Sequence, residues 1–560
     1  MEFQLDQYTQ DCQLVQSEII TEIATYPQWL NKAIAVYTQF IKDNPQAEYR
    51  EYQYQLAAIY ATRPHNICGG SMGLGKTLIT GLLIATVYTH LSRPGQIQIA
   101  APSLLSASSR WLIDLQKIAA LKGEVEVINT EKQMLTSSAP IWIYTLDFIK
   151  RKSKTLAKTS RPYISRLIKK RHLTPSLLVV DEAHLLKKKT DRTKHWEYIT
   201  HLAKRVLFIS GTLSDGRLDL VELLCGLTYH SNFPYSNGGL ANEFNSRKQI
   251  KTNYAGGGDE IITTTTRYLP DLLCTRIPRY SKLARKFIHR VRLTDPGIKE
   301  SVFIPQQKDN PCVILPHPSH RKLYRDYLLQ AKSELEKLER IASINTNTAL
   351  SILTPLIKLS SLPPIDVPNH KLDKCATLIS EAIALNQKTA IFVSYVETGR
   401  FLHEYFARLY PHHNVIRLYA QDPDASPKSM SADMREHAVS EFLFNPDTLI
   451  GIFSINLSAE SIDLNSAGQV IFYDLPWQAL KLQQAIHRVV RPGSPHKAIT
   501  VNYLVNHGMI DQHKYTLLAE KLKTASALLD FEPDGLNQDH LALVNYRKLT
   551  KETLNYLNQP

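Results

Sequence analysis

The sequence is poor in the features that mark small secreted, metal-stapled or membrane-embedded proteins. Its 560 residues hold only six cysteines, Cys12, Cys68, Cys225, Cys274, Cys312 and Cys375, scattered and without a C-x-x-C pair. Such spacing argues against a structural zinc site, and a disulfide framework is not expected in so long a chain. No uninterrupted apolar run approaches the ~20 residues needed to span a bilayer. The N-terminus, MEFQLDQYTQDCQLVQSEII, is acidic and polar and lacks the apolar stretch of a signal peptide. Short-period repeats, low-complexity tracts and the H-E-x-x-H signature are missing too. The expectation is a soluble, intracellular protein in a reducing compartment.

What is present points to large buried cores and a polyanionic partner. Hydrophobic residues make up 43% of the chain, and the net charge is +14. Short apolar runs alternate with amphipathic stretches: Ile97–Ala101, Val125–Ile128, Ile141–Tyr144, Leu177–Val180 and Val206–Ser210. After Ser361–His370, a proline-containing linker, a second series begins: Thr389–Ser394, Val415–Leu418, Leu449–Ser454, Gln469–Asp474 and Ala498–Leu504. Apolar strands alternating with helices predict parallel sheets covered on both faces. The fold expected is α/β: two parallel-sheet domains in tandem, with a largely helical insertion between them. The boundaries expected are an N-terminal helical segment at 1–48, domain 1 at 49–225, insertion and linker at 226–370, domain 2 at 371–515 and a helical tail at 516–560. One long charged helix is predicted over Tyr324–Ile344, a glycine turn over Tyr254–Asp259, and a packing role for Ala527–Leu529 on the second domain.

Gly70-Ser-Met-Gly73-Leu-Gly75-Lys76-Thr77 matches G-x-x-x-x-G-K-[ST]. Glycines let backbone N–H groups converge on phosphates, and the following helix, expected over Leu78–His90, aims its positive end at the same charge. Lys76 is expected on the β- and γ-phosphates of ATP, and the Thr77 hydroxyl on Mg²⁺. About one hundred residues on, the apolar Leu177–Val180 ends in Asp181-Glu182. At the C-terminal edge of a parallel strand, Asp181 suits Mg²⁺ and Glu182 suits the attacking water. In the second half, Gln484, His487, Arg488 and Arg491 are spaced to share one helical face. The two arginines are expected to stabilise charge on the γ-phosphate. Three basic clusters stand out: Lys150–Arg171 with ten Lys or Arg and no acid, Arg276–Arg292 with seven and no acid, and Lys187–Lys189. They suit phosphate contacts without sequence readout.

Taken in order, these motifs resemble the Swi/Snf-like branch of superfamily-two helicases, over roughly residues 49 to 510. Tyr49–Gln53 is similar to the element whose Gln contacts adenine, which implies that role for Gln53. Ala101-Pro102-Ser103, with Trp111 after it, resembles motif Ia, which touches the nucleic-acid backbone. Asp181-Glu-Ala-His184 resembles motif II, and Ser210-Gly-Thr212 resembles motif III, which couples the ATP site to the track. Ala390–Ser394, Ser454–Leu464 and Gln484–Gly493 resemble motifs IV, V and VI, implying nucleic-acid contacts at Ser394 and Ser454 and a coupling role for Gln484. Departures place the chain at the family's edge: Gly-Gly-Ser before Met72, Leu-Ser-Asp after Thr212, and Asp463 where Asn is usual.

The resemblance implies that both domains are RecA-like and that the chain is an ATP- and Mg²⁺-dependent hydrolase that translocates on nucleic acid, foremost double-stranded DNA. A strand-separating DNA or RNA helicase and a catalytically silent nucleic-acid scaffold are the alternatives. A nuclease or polymerase is the kind of protein partner such a motor serves. A lean, divergent form suits a bacterial, phage or viral source, hence a cytoplasm, nucleoid, host cell or virion. The basic run Arg276–Arg292 is expected in helical protrusions that touch the track.

Overall fold

In the computed structural model the described residues are 27–240 and 284–530, apart from short stretches within them (72, 89, 103–106, 154–161, 187–190, 212–217, 237–238, 294, 296–297, 341–345 and 456–461). The Tyr254–Asp259 turn and residues 1–26 therefore lie outside the description. The chain divides into two compact units, the first running to Val302 and the second from Phe303 to Thr524, with the residues from Ala525 to the end of the last described helix grouped with the first.

The first unit opens with α1 (Pro27–Asp43), which buries Ala33, Tyr37 and Phe40 along one stripe. Then come α2 (Glu51–Thr62), β1 (His65–Gly70), α3 (Lys76–Val87), β2 (Ile97–Ala101) and α4 (Ala107–Gln116). They are followed by β3 (Val125–Val127), α5 (Glu131–Thr136), β4 (Ile141–Thr145), α6 (Ile164–Lys170) and β5 (Leu177–Val180). The series continues with α7 (Asp191–Leu202), β6 (Arg205–Ile209), α8 (Leu218–Tyr229) and β7 (Ile288–Val291). The strands form one seven-stranded sheet in the order β3-β4-β2-β5-β6-β1-β7, every pair parallel. β2, β4 and β5 are buried almost throughout because helices cover both faces. The short α5 is fixed by a capping box: the Thr130 hydroxyl accepts the Gln133 N–H, and the Gln133 side chain accepts the Thr130 N–H.

The second unit contains β8 (Gln306–Ile314), α9 (Pro318–Arg340), α10 (Thr346–Ser361), α11 (His370–Ala384), β9 (Lys388–Val393) and α12 (Val396–Leu409). Next are β10 (Val415–Leu418), α13 (Ala432–Phe444), β11 (Ile450–Ser454), β12 (Ala467–Phe472), α14 (Ala479–Val489), β13 (Ala498–Asn506) and α15 (Ile510–Asp530). Its six strands run β10-β11-β9-β12-β13-β8, again all parallel. Alternation along the strands feeds two cores: Ala390, Phe392, Val470 and Phe472 on one face, Ile391, Val393, Ile471 and Tyr473 on the other. A third cluster packs α9 and α10 on the start of α15 through Tyr324, Leu353, Leu356 and Ile510.

Two parallel-sheet RecA-like domains are thus present. Within 226–370, the described residues do more than form helices, because β7 edges the first sheet and β8 edges the second. The long helix starts earlier than expected, at Pro318, and the helix after the phosphate loop is Lys76–Val87. Side chains of Ala527–Leu529 lie outside the described residues.

Candidate active site in the first unit

Sheet order decides which side chains meet. β5, β6 and β1 are neighbours and parallel, so their C-terminal ends present Asp181-Glu182, Ser210 and the phosphate loop along one edge. The loop turns through Gly73 and Gly75, at φ +81° and +79°. These left-handed conformations are cheap only for glycine. Gly75 immediately precedes α3, so the helix's unpaired N–H groups open at the loop, with Lys76 and Thr77 in its first turn. Gly70 closes β1, and a side chain there would strike Leu74 Cδ2 at 2.7 Å.

The Lys76 ammonium folds back over the loop, donating to the carbonyls of Gly70 (3.1 Å) and Ser71 (2.9 Å). Burial pulls it below the usual lysine range, against the opposing attraction of Glu182. Gln53 is buried on α2 and lies against the same turn: a Cβ on Gly75 would come within 2.8 Å of its Nε2. Its Oε1 accepts from the Tyr37 hydroxyl at 3.1 Å, and Tyr52 donates to the Leu74 carbonyl at 3.1 Å. The far side of the loop is fixed by β7. Ser71 N–H donates to the Val291 carbonyl at 2.8 Å, and the Arg290 guanidinium donates to the Gly69 carbonyl at 2.7 Å. This corrects the expectation for the Arg276–Arg292 run: its described C-terminal part is an edge strand braced on the phosphate-loop strand. Ile288 and Val291 are buried, and that burial draws the segment into the sheet.

Asp181 caps β5. Its Oδ1 accepts the Glu182 N–H and its Oδ2 accepts the Trp111 indole N–H, each at 2.9 Å. Burial, with the neighbouring Glu182 charge, raises its carboxyl to about 6. Glu182 adopts φ +48°, unusual for a non-glycine residue and common where side chains are aimed for chemistry. His184, buried, places Nδ1 2.9 Å from the Ser210 hydroxyl and 3.1 Å from Glu182 Oε2. Among the described residues no group of three His, Cys, Asp or Glu side chains forms a metal cage. The donors suit Mg²⁺ carried in with phosphates, which takes only one or two protein oxygens, here from Asp181 and Thr77. Pro102 follows β2 at the same edge; Ser103 and Thr212 lie outside the described residues.

In the second unit the order β11-β9-β12 sets Ser454 and Ser394 on neighbouring strand ends. Ser394 N–H donates to Asp474 Oδ2 at 3.2 Å, and its hydroxyl to the Leu475 carbonyl at 3.4 Å. Gln484 is buried and Arg488 half-buried on α14. Arg491 does not share that helix, which ends at Val489. Pro492 follows it and disfavours helical backbone at Arg491. There the guanidinium pairs with Asp463. Sequence spacing offered no sign of Trp111, Tyr37 or Arg290 at the first site, because each arrives from a distant element. Among the described residues, no helix is long and apolar enough to cross a membrane.

Residues 50–220 match the DEAD/DEAH box helicase family model, and residues 370–493 match the helicase conserved C-terminal domain. The chain is therefore a helicase-type ATPase core of superfamily two. It is 22% identical over 506 residues to an uncharacterized ATP-dependent helicase, YqhH, of Bacillus subtilis, spanning 87% of this chain and 82% of that protein. It is also 23% identical to a SWI/SNF-related regulator of chromatin, subfamily A-like protein 1, of Xenopus tropicalis, over 87% of this chain but 44% of the relative. The chain thus spans less than half the length of that second relative. Among solved structures, the Sulfolobus solfataricus SWI2/SNF2 ATPase core in complex with dsDNA aligns over 91% of this chain and 97% of that one, at 18% identity and a TM-score of 0.36.

Proposed function

We propose that the chain hydrolyses ATP at the β1–β5–β6 edge and uses the cycle to translocate on nucleic acid, with duplex DNA as the preferred track. The observation that carries this reading is the convergence at that edge: the loop lysine, the Asp181-Glu182 pair, and a buried His184 that reaches both Glu182 and Ser210. Lys76 is freed from the loop carbonyls when phosphates take their place. Glu182 holds and polarises the attacking water. Asp181 and Thr77 hold Mg²⁺, which when bound offsets phosphate charge. Gln53 reads adenine. Arg488 and Arg491 serve the γ-phosphate, and His184, Ser210, Thr212 and Gln484 serve coupling. Pro102, Ser103, Ser394 and Ser454 are assigned to the nucleic-acid backbone, supported by the order of their motifs. The preference for duplex DNA rests on the resemblance of the motifs to the Swi/Snf-like branch and on the likeness to SWI/SNF-related relatives.

The test is steady-state ATP hydrolysis without polymer and with single-stranded DNA, duplex DNA or RNA, at two salt concentrations, with Lys76→Ala as control. Strong stimulation by duplex DNA, weakened by salt and lost in the control, is expected. Stimulation by single strands or RNA alone would favour a strand-separating helicase, and hydrolysis under no condition would contradict the reading.

A further inference from the structure

Asp181 is held by a residue that no catalytic role covers. Its Oδ2 accepts the indole N–H of Trp111, which is buried at 2% exposure on α4, seventy residues away in sequence. The position of that indole is itself fixed. Leu115, one turn further along α4, packs with Ile118 on Gly81 of α3, where an added Cβ would meet Ile118 Cδ1 at 2.5 Å and Leu115 Cδ2 at 3.0 Å. Trp111 and Leu115 share a helix face at i, i+4 spacing. The missing side chain at Gly81 thus seats α4 directly on the helix that begins with Lys76, and Trp111 extends from that seat to the end of β5.

We propose that Trp111 is a positioning residue for the metal-binding carboxylate. With Oδ1 tied to the Glu182 amide and Oδ2 to the indole, each oxygen spends one lone pair on a fixed donor. The carboxylate plane is locked, and each oxygen keeps a lone pair for a cation. Without the indole the carboxylate keeps one anchor and must be ordered when Mg²⁺ arrives. A hydrogen bond from a neutral donor to a charged group contributes enough that its loss is worth roughly tenfold in binding. The inference rests on the reading of Asp181 as the Mg²⁺ carboxylate.

The test compares Trp111→Phe and Trp111→His in the full chain. Phenylalanine keeps most of the ring volume and loses the donor. In histidine the five-membered ring superimposes on the pyrrole part of indole, so Nε2–H can stand where the indole N–H stood while volume is lost. Binding of a fluorescent ATP analogue is measured in EDTA and across a Mg²⁺ titration. The expected result is unchanged affinity in EDTA for all three proteins, which also reports an intact loop. The gain conferred by Mg²⁺ falls about tenfold in Trp111→Phe and is largely kept in Trp111→His. Equal Mg²⁺ gain in wild type and Trp111→Phe overturns the proposal. A larger loss in histidine than in phenylalanine also overturns it, because that order tracks volume and not the donor. Wild type that binds the analogue in EDTA and gains nothing from Mg²⁺ overturns the assignment of Asp181 together with this inference. Wild type that gains from Mg²⁺ while Trp111→Phe matches it sinks this inference alone.

Discussion

His184 places one ring nitrogen, Nδ1, between the Ser210 hydroxyl at 2.9 Å and Glu182 Oε2 at 3.1 Å, with both His184 and Ser210 buried. That ring nitrogen links the end of β6 to the Glu182 carboxylate. Removing the hydroxyl leaves the ring one partner short in a buried place, at a cost of about 1–2 kcal/mol. Ser210→Ala is expected to lower polymer-stimulated hydrolysis, and His184→Ala to lower it further. The double variant should lose less than the two losses added, since both changes cut the same link. Full additivity in stimulated turnover and in urea unfolding would show that the pair is not coupled.

Gly75 carries two constraints at once: a backbone at φ +79°, and Gln53 Nε2 at 2.8 Å from where a Cβ would sit. Gly75→Ala is therefore expected to strain the loop by about 1–3 kcal/mol and to push the Gln53 amide out of place. Nucleotide affinity should fall at least tenfold, with adenine selectivity over guanine reduced. Calorimetric titration with ATP and GTP reads both. Unaltered selectivity would mean that Gln53 does not read the base.

The strands were legible where burial on both faces made them apolar. Leu177–Val180 is such a run, and the acids that end it follow directly in sequence. Edge strands carry no such signature. β7 reads Ile-His-Arg-Val, with its two middle residues only half-buried, and β8 holds Pro311, a residue that edges tolerate because one side needs no ladder bonds. Both therefore passed for parts of an insertion. The phosphate loop and the acidic pair could be read because their spacing is local. Trp111 to Asp181, Tyr37 to Gln53 and Arg290 to Gly69 could not, since folding alone makes them neighbours. Arg491 was misplaced on a helix although Pro492 marks the helix end.

The second unit buries charges that no motif foretold. Lys371 donates to Asp511 Oδ2 at 2.7 Å, both nearly inaccessible, and Ser360 donates to the same oxygen at 2.8 Å. Lys514 lies over the Trp477 ring nearby. Burial pulls its ammonium down to about 8; Asp511 and Asp474 oppose that shift, and Lys371 adds to it. A base whose folded pKa lies below its unfolded value of 10.5 makes folding release a proton between those values. The penalty is full below about pH 8 and fades as pH rises toward 10.5. Wild type should thus gain stability relative to Lys514→Met on going from pH 7.5 to 9.5, by about 2 kcal/mol. Urea midpoints for the two proteins at both pH values check it, and a constant difference would contradict it. Lys371→Met, in contrast, strands Asp511 and should destabilise the unit by about 3–5 kcal/mol.

Arg290 separates two roles for the basic run that ends at Arg292. Its guanidinium donates to the Gly69 carbonyl at 2.7 Å, and the next residue's carbonyl accepts the Ser71 N–H at 2.8 Å, so β7 braces the loop from its outer side. A residue spent on the track would alter the salt dependence of nucleic-acid binding, because each phosphate contact releases counterions. A residue spent on the loop would alter nucleotide binding. Arg290→Met keeps the aliphatic stem and removes the donor, at a cost of about 1–3 kcal/mol for the lost charge-assisted bond. The expected outcome is a KM for ATP raised about five- to tenfold, with an unchanged slope of DNA affinity against salt. A shallower slope at constant KM would assign Arg290 to the track and return this part of the run to the role its charge suggests.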